Sequence, residues 1–172
     1  MALKSKDYRI MSTYFINEVH ELPQEFIDDM HTEMNNQYAK LQELIGETQI
    51  HPLNLALQNL SSELVTNFLI TIDDTPVSII TGIKHDDLFE ILAILSIRYN
   101  GSRDYLYQPE YFTCLNNGLI ERGYTGKRMA TYKELVDDNW IRRSCTEYPL
   151  ADSYTPTIQE TEKTTVWTWS FS

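Results

Sequence analysis

Apolar residues recur every three or four positions in the first third of the chain, which predicts amphipathic helices there. The longest such segment spans residues 21–47, where Pro23 suits a first helical turn and Gly46 suits the left-handed position that ends a helix. Its apolar stripe consists of Ile27, Met30, Met34, Tyr38, Leu41 and Ile45. A shorter helix is predicted over residues 51–65, starting at Pro52, with a stripe of Leu53, Leu57, Leu60 and Leu64.

The pattern elsewhere in the first hundred residues has the shorter period of β-strands. Residues 8–17 are rich in aromatic and β-branched side chains, so they predict a strand ahead of the helices. Residues 67–99 contain three strand-like runs, separated by turn residues at 73–76 and 85–87. Because short turns favour antiparallel neighbours, these runs predict a three-stranded meander.

Helix and strand signals alternate in the remainder of the chain. Phe112, Leu115 and Leu119 have helical spacing, and Gly123 is placed to end that helix. Residues 127–132 predict a strand, and residues 133–140 predict a brief helix.

Two further strands are predicted near the C-terminus. The first covers residues 140–148. The second covers residues 164–172, where Trp167, Trp169 and Phe171 alternate with small polar residues, as in a half-buried strand.

Length and charge limit the classes of function. The 172 residues predict one domain, residues 1–172, with 150–172 as an extended C-terminal segment that ends in a strand. The formal net charge of −11 repels phosphate backbones, so nucleic acid is not an expected partner, although acidic mimicry of DNA toward a basic protein is a further hypothesis. No apolar run is long enough to span a bilayer, and the N-terminus lacks the apolar core of a signal peptide. A soluble cytoplasmic protein without a membrane partner is therefore expected.

The sequence offers no metal-site motif. Cys114 and Cys145 do not form a closely spaced pair, and two free thiols in a reducing compartment are the simplest interpretation. The four histidines are dispersed, and no pair has the spacing of a helical zinc site. We expect no bound metal.

The order of elements and the segment LIERGYTGKRMAT, residues 119–131, resemble the GNAT superfamily of N-acetyltransferases. The resemblance covers nearly the whole chain. It implies an α/β (α+β) fold in which helices flank a central mixed, mostly antiparallel sheet.

The resemblance directs attention to the loop after the fourth strand. In GNAT enzymes this loop has the pattern Gln/Arg-x-x-Gly-x-Gly/Ala, and its N–H groups and the following helix N-terminus bind the pyrophosphate of acetyl-CoA. Arg98 and Gly101 match the start of the pattern, Ser102 follows, and Arg103 stands where a small residue is expected.

Other features of this loop depart from the family. The next helix is predicted to begin late, near Pro109, and Asp104 and Glu110 add negative charge where phosphates would lie. We therefore expect a degraded phosphate cradle and no bound cofactor; acetyl-CoA is the cofactor if the protein is an enzyme.

The resemblance also implies two catalytic candidates. Glu90, near the start of the fourth strand, matches the place of the family's general base, and Tyr132 lies near the place of its thiolate proton donor. The alternative interpretations are a solvated carboxylate for Glu90 and a packing tyrosine for Tyr132.

Aromatic residues predict contacts with other proteins. Tyr105 and Tyr107 in the loop suit a contact surface, because tyrosine combines apolar area with a hydroxyl group. The C-terminal Trp167, Trp169 and Phe171 either complete this chain's own sheet or add a strand to a neighbour's sheet.

Two functional hypotheses follow, and the departures in the loop favour the first. The first is a non-catalytic GNAT-like protein that acts as a structural or interaction component of a homo- or hetero-oligomeric assembly. Bacteriophages encode GNAT-like proteins of this size, so a role in virion assembly, with location in the virion, is part of that hypothesis. The second is an active acetyl-CoA-dependent N-acetyltransferase with an atypical cofactor loop.

Overall fold

The computed structural model describes residues 12–45, 57–133 and 140–172, without the side chains of residues 34–38, 40–42, 44 and 45. Its strands are β1 (Tyr14–Glu18), β2 (Thr66–Ile72), β3 (Thr75–His85), β4 (Leu88–Ser96), β5 (Gly126–Tyr132), β6 (Thr157–Glu160) and β7 (Thr164–Ser170). Its helices are α1 (Gln24–Ile45), α2 (Pro109–Glu121) and α3 (Trp140–Glu147), with a 3-10 turn at Asp104–Tyr107 before α2.

The strands form one seven-stranded sheet in the order β1-β2-β3-β4-β5-β7-β6. Only β4 and β5 run parallel, and all other neighbours are antiparallel. The single parallel pair lies at the centre of the sheet, where the connection from β4 to β5 must cross over through α2.

Helices cover both faces of the sheet. On one face, Phe26 and Met30 of α1 pack against Leu69, Ile79 and Leu95. On the other face, α2 and the 3-10 turn pack against β2, β3 and β4, and α3 packs against β7. The sheet is therefore buried from both sides, as its many apolar residues require.

Several predictions are confirmed. The long helix predicted over 21–47 is α1, the meander predicted over 67–99 is β2–β4, and the helix after the loop is α2. The turn between β2 and β3 has positive φ at Asp73 (49°) and Asp74 (68°), which is the hairpin geometry that aspartate tolerates. Of the segment 8–17 predicted as a strand, residues 12–17 are described, and the strand there begins at Tyr14.

Two predictions were wrong, and one strand was missed. Residues 140–148 are not a strand but contain helix α3, in which Ile141 and Ser144 are buried three positions apart. Strand β6 was not predicted, because all of its four residues are exposed and give no apolar alternation. Leu64, assigned to an apolar stripe, is 83% exposed and lies outside any helix.

Other predictions fall on residues that the structure does not describe. These are the cap at Gly46, residues 51–56 of the helix at 51–65 and most of the brief helix at 133–140. Of the described residues 57–65, only 57 and 58 are helical. Among the described residues, no helix is long and apolar enough to cross a bilayer.

Candidate functional site

The sheet opens between β4 and β5. These parallel strands pair over only four residues each, 88–91 with 126–129. In the described part of the chain the two strands do not pair beyond this point, although β4 continues to Ser96 and β5 to Tyr132. Two strand edges without a ladder between them therefore border a split in the middle of the sheet.

A β-bulge lies where the split begins. In the ladder between β3 and β4, Thr81 pairs with Ala93 and Gly82 pairs with Ile91, which leaves Leu92 without a partner on β3. A bulge of this kind bends its strand and increases the local twist. The bend at Leu92 accounts for the separation of β4 from β5.

Backbone groups of β4 point into the split. The N–H of Ile97 donates to the carbonyl of Val77, so the alternation of the antiparallel ladder directs the N–H and C=O groups of Ile94 and Ser96 away from β3. The carbonyl of Ser96 accepts a hydrogen bond from Nε of Arg103 (3.3 Å). The N–H and C=O of Ile94 and the N–H of Ser96 are therefore placed to bind a ligand with peptide-like groups.

The loop after β4 begins with a tight turn. The N–H of Tyr99 donates to the carbonyl of Ser102 (2.8 Å), and the N–H of Ser102 donates back (3.3 Å). Asn100 and Gly101 between them have φ values of 53° and 85°, as in a type I′ turn. Two N–H groups of the predicted phosphate loop are thus used within the turn.

Both arginines of this loop lie beside one carboxylate of α1. The guanidinium of Arg103 forms an ion pair with Oε2 of Glu33, and Nε of Arg98 lies 3.9 Å from the same oxygen. The side chain of Glu33 is 19% exposed, whereas that of Arg98 is 63% exposed. Glu33 therefore neutralises the positive charge that a coenzyme phosphate would require.

The loop ends in the 3-10 turn and the start of α2. The hydroxyl of Tyr105 lies 2.7 Å from the carbonyl oxygen of Ile97 and 2.9 Å from that of Val77, so it ties the turn to the ends of β3 and β4. Helix α2 begins at Pro109 as predicted, and proline brings no N–H group. The N–H of Tyr111 donates to the carbonyl of Gln108. The N-terminus of α2 consequently offers few free donors to an anion.

Glu90 lies at the mouth of the split. It is the third residue of β4, pairs with Arg128 in the β4–β5 ladder, and its carboxylate contacts the Arg128 guanidinium. Because Phe89 and Ile91 belong to the core on the α2 side, alternation places Glu90 on the α1 side of the sheet. The ion pair fixes a carboxylate close to the point where the strands separate.

The other predicted catalytic residue lies elsewhere on the split. Tyr132 is the last residue of β5 and is 39% exposed. Tyr132 lies on the β5 side of the split, beyond the residues of β5 that pair with β4.

Three of the residues predicted to contact partners are core residues instead. Tyr105, Trp167 and Trp169 are 6%, 2% and 1% exposed, so the predicted contact role is wrong for them. Strand β7 lies between β5 and β6 of its own chain, which bears out the interpretation that it completes this chain's own sheet.

The other two aromatic candidates are half-buried. Tyr107 stacks on Tyr148 with ring centroids 4.8 Å apart, and Phe171 lies 5.0 Å from the ring of Tyr154. A partner role for Tyr107 and Phe171 stays a prediction.

The described residues offer neither a metal site nor a reactive thiol. No group of three potential ligands is arranged to hold a metal ion among residues 12–45, 57–133 and 140–172. Cys114 and Cys145 are free and half-buried, and burial raises the pKa of Cys114 to about 11. A thiol that stays protonated at neutral pH is a poor nucleophile.

Sequence reasoning missed two partners of the predicted site residues. Glu33 lies 70 positions before Arg103 along the chain, and no local signal marks it. Arg128 could have been found by aligning β5 with β4, which requires the register of the parallel pair. The Asn100-Gly101 dipeptide is a turn signal that predicts the tight turn directly.

The strand order, the single central parallel pair and the split beside a bulged β4 define a GNAT-like fold, as the resemblance implied. The sequence matches no protein-family model and no curated protein.

Solved structures of acetyltransferases share this fold. The Campylobacter jejuni N-acetyltransferase PseH in complex with acetyl coenzyme A superposes with a TM-score of 0.55 and 11% identity, covering 93% of this chain and 100% of that one. An acetyltransferase from Salmonella typhimurium that modifies the N-terminal serine of ribosomal protein L7/L12 superposes with a TM-score of 0.58 and 8% identity. The match covers 95% of this chain and 98% of that one. The aminoglycoside 6′-N-acetyltransferase of Enterococcus faecium superposes with a TM-score of 0.55 and 12% identity, covering 91% of this chain and 96% of that one. At these identities the similarity establishes the fold alone.

Proposed function

We propose that the protein is an acyl-CoA-dependent N-acyltransferase with an atypical phosphate-binding loop. The observation that carries this proposal is the split between β4 and β5, where backbone groups of Ile94 and Ser96 have no strand partner among the described residues in the interior of a sheet. Backbone polar groups in such a position need a partner. The pantetheine arm of coenzyme A contains two amides and can supply one.

Structures with the same fold support this assignment. PseH was solved with acetyl coenzyme A, and another aminoglycoside 6′-N-acetyltransferase, with 10% identity and a TM-score of 0.57, was solved with coenzyme A. We infer that coenzyme A enters the corresponding split of this chain, with its acyl end toward the bulge at Leu92.

The loop after β4 fits the pyrophosphate of coenzyme A less well than the split fits the pantetheine arm. Arg98 and Arg103 are the cations placed to bind the pyrophosphate, and the amides of Asn100 and Gly101 lie in the same loop. Phosphate binding requires Glu33 to release Arg103. This competition predicts weak coenzyme binding that depends strongly on Glu33.

Glu90 is the candidate general base. Its carboxylate is held by Arg128 near the start of the split, where an amine on the α1 side would approach the acyl group. Bound acetyl-CoA supplies the thioester, and Glu90 accepts the proton that the amine loses during attack. Tyr132, on β5 across the split, is the candidate proton donor for the departing thiolate.

Coenzyme binding is the decisive test. A ligand at one hundred times its Kd stabilises the folded protein by about 2.7 kcal/mol, which a thermal denaturation scan with acetyl-CoA detects. Gly101→Asp places a negative charge in the loop and should abolish the shift. Gly123→Asp is the matched control, because Gly123 has a similar φ (89° against 85°) and equally open surroundings at the other end of α2. A protein that shows no shift with acetyl-CoA or longer acyl-CoAs is not an acyltransferase of this kind.

A non-catalytic protein that works through protein contacts is the second candidate. It is favoured by the ion pair between Glu33 and Arg103, together with the internally bonded turn at 99–102, because both occupy groups that a phosphate would need. Absence of coenzyme binding, combined with recovery in a stable homo- or hetero-oligomer, would support it. A virion component belongs to this second candidate.

A further inference from the structure

A groove runs between the outer edge of β1 and helix α2. Its volume is about 660 Å³. The residues of α2 that line it recur at helical spacing, so one face of the helix forms the wall: Pro109, Glu110, Thr113, Cys114, Asn117, Gly118 and Glu121. The floor and opposite wall come from Ser12, Tyr14, Phe15 and Ile16.

Strand and helix approach closely at the floor of the groove. A Cβ atom on Gly118 would lie only 2.4 Å from Cγ2 of Ile16, so glycine permits this contact. Phe15, which alternates with Tyr14 and Ile16, lies on the opposite face of the strand and is 54% exposed. Among the described residues, β1 is an edge strand of the sheet, and the groove lies along that edge.

The outer edge of β1, which no described strand covers, presents backbone groups of alternate residues. Asp73 donates its N–H to the carbonyl of Thr13, and Val19 donates its N–H to the carbonyl of Asn67, so odd-numbered residues of β1 bond to β2. The N–H and C=O groups of Tyr14, Ile16 and Glu18 consequently point outward. An edge of this kind accepts another strand.

The charge of the groove selects the occupant. Among the described residues, its lining contains the carboxylates of Glu110 and Glu121 and no lysine, arginine or histidine. Arg122, which follows on the chain, donates to the carbonyl of Gly118 (2.9 Å) and lies over the ring of Phe68. Burial, and secondly the carboxylate of Glu110, raise the pKa of Tyr14, which agrees with a negative potential at this end of the groove.

We propose that the β1 edge and the α2 groove bind an extended, basic peptide segment of another protein, which adds to the sheet as an eighth strand. Its alternate side chains enter the groove, and lysine or arginine residues pair with Glu110 and Glu121. These carboxylates are eleven positions apart on α2, about 16 Å at 1.5 Å per residue, or roughly five residues of a strand. Because side chains of one face are two residues apart, basic residues four or six positions apart come nearest to this span.

A second copy of this chain is a poor occupant. Pairing of two β1 edges would bring Glu18, Glu110 and Glu121 of both copies together, in a protein that already carries a net charge of −11. Like charges placed opposite each other in a sheet are destabilising. The basic peptide is the occupant with complementary charge.

Fluorescence anisotropy with the full chain tests this proposal. The probe is a nine-residue peptide of alternating threonine and valine with two lysines four positions apart. The comparison peptide has glutamate in place of each lysine. The lysine peptide should bind at least tenfold more tightly. Glu110→Gln/Glu121→Gln should weaken its binding about tenfold, whereas Glu160→Gln/Glu162→Gln, at the opposite sheet edge, should not change it.

N-methylated peptides distinguish strand addition from non-specific charge attraction. Methylation of one alternate set of amides should abolish binding, and methylation of the other set should change it less than twofold. Equal effects of the two sets, equal binding of the acidic peptide, or no binding at all would overturn the proposal. It would also be overturned by concentration-dependent dimerisation that the lysine peptide does not reverse. If the lysine peptide binds tenfold more tightly to a chain that lacks residues 1–11, the occupant of the groove is the chain's own N-terminal segment instead.

Discussion

The amino group of Lys127 lies 2.5 Å from Oδ2 of Asp152 and 2.7 Å from Oδ1 of Asn116, beneath helix α2. The lysine side chain is fully buried, and its nitrogen lies 4.9 Å from the centre of the Trp169 ring. Asp152 belongs to the segment between α3 and β6, so this ion pair attaches that segment to the sheet.

Removal of the carboxylate should destabilise the protein strongly. Asp152→Ala leaves a buried ammonium group with Asn116 as its remaining hydrogen-bond acceptor, and breaking a buried pair in this way costs about 3–5 kcal/mol. Chemical denaturation at pH 7 measures the loss. Glu160→Ala, which removes an exposed carboxylate, serves as control and should change the free energy of unfolding by less than about 0.5 kcal/mol.

The stability deficit of the same variant should shrink at alkaline pH. Burial lowers the pKa of Lys127, and Asp152 opposes that shift, so Asp152→Ala lowers the pKa further. Between the lowered native pKa and the unfolded value of about 10.4, the unfolded chain binds more protons, so stability from this group rises with pH. The deficit of Asp152→Ala should therefore be largest at neutral pH and shrink as the pH approaches 10. A deficit that is constant from pH 7 to 10 would contradict this explanation.

The contact between Gly118 and Ile16 predicts an unusual effect of alanine in a helix. Gly118→Ala normally stabilises a helix by about 1 kcal/mol, but here the new methyl group collides with Ile16 across the α2–β1 contact. We expect a net loss of about 1–2 kcal/mol in the free energy of unfolding.

A double variant isolates this collision. In an Ile16→Ala background the space is open, so Gly118→Ala should be neutral or stabilising there. If Gly118→Ala is equally destabilising in both backgrounds, the contact is not the cause.

Local signals predicted most of the fold, and they failed where the decisive contacts were distant. Strands β2, β3 and β4 were predictable because Asp73 and Asp86 mark the turns between them. Helix α3 was missed because only its eight residues carry the pattern, and burial of Ile141 against Trp167 and Trp169 decides its conformation. A single sequence does not show such tertiary contacts.

The candidate site follows the same division. Arg98, Gly101 and Glu90 could be placed because each lies next to a predicted strand end. The partners that change their chemistry, Glu33 and Arg128, come from other elements and became visible only with the register of the sheet. The prediction that no cofactor binds rested on the loop sequence alone, without the split in the sheet.

Coenzyme affinity should rise when Glu33 loses its charge. Glu33→Gln removes the carboxylate that holds Arg103 and leaves both arginines free for phosphates. We expect the Kd for coenzyme A to fall about tenfold, measured by isothermal titration at low salt, because one elementary charge near two phosphates contributes about 1–2 kcal/mol.

A residue on the same helix controls for net charge. Glu43→Gln makes the same change on the exposed surface of α1 and should leave the Kd within twofold. Weaker binding by Glu33→Gln would mean that Glu33 positions Arg103 for the coenzyme rather than competing with it.

If the proposed function holds, Glu90 should affect the rate of catalysis and not the affinity for coenzyme. Glu90→Gln preserves the shape of the side chain at the mouth of the split but cannot accept a proton. We expect kcat to fall by about 10²–10⁴-fold with little change in KM for acetyl-CoA, because a general base typically contributes that factor. An amine acetylation assay with a panel of small amines and peptide N-termini provides the measurement.

A chemical-rescue experiment separates proton acceptance from structural support. Glu90→Ala leaves a space beside Arg128 that formate can enter, and formate should restore part of kcat in that variant only. Arg128→Ala removes the group that positions the carboxylate; it should reduce kcat less than Glu90→Gln does, and formate should not restore it. A Glu90→Gln variant that retains more than half of the wild-type kcat would remove Glu90 from the mechanism, while leaving the coenzyme site in the split intact.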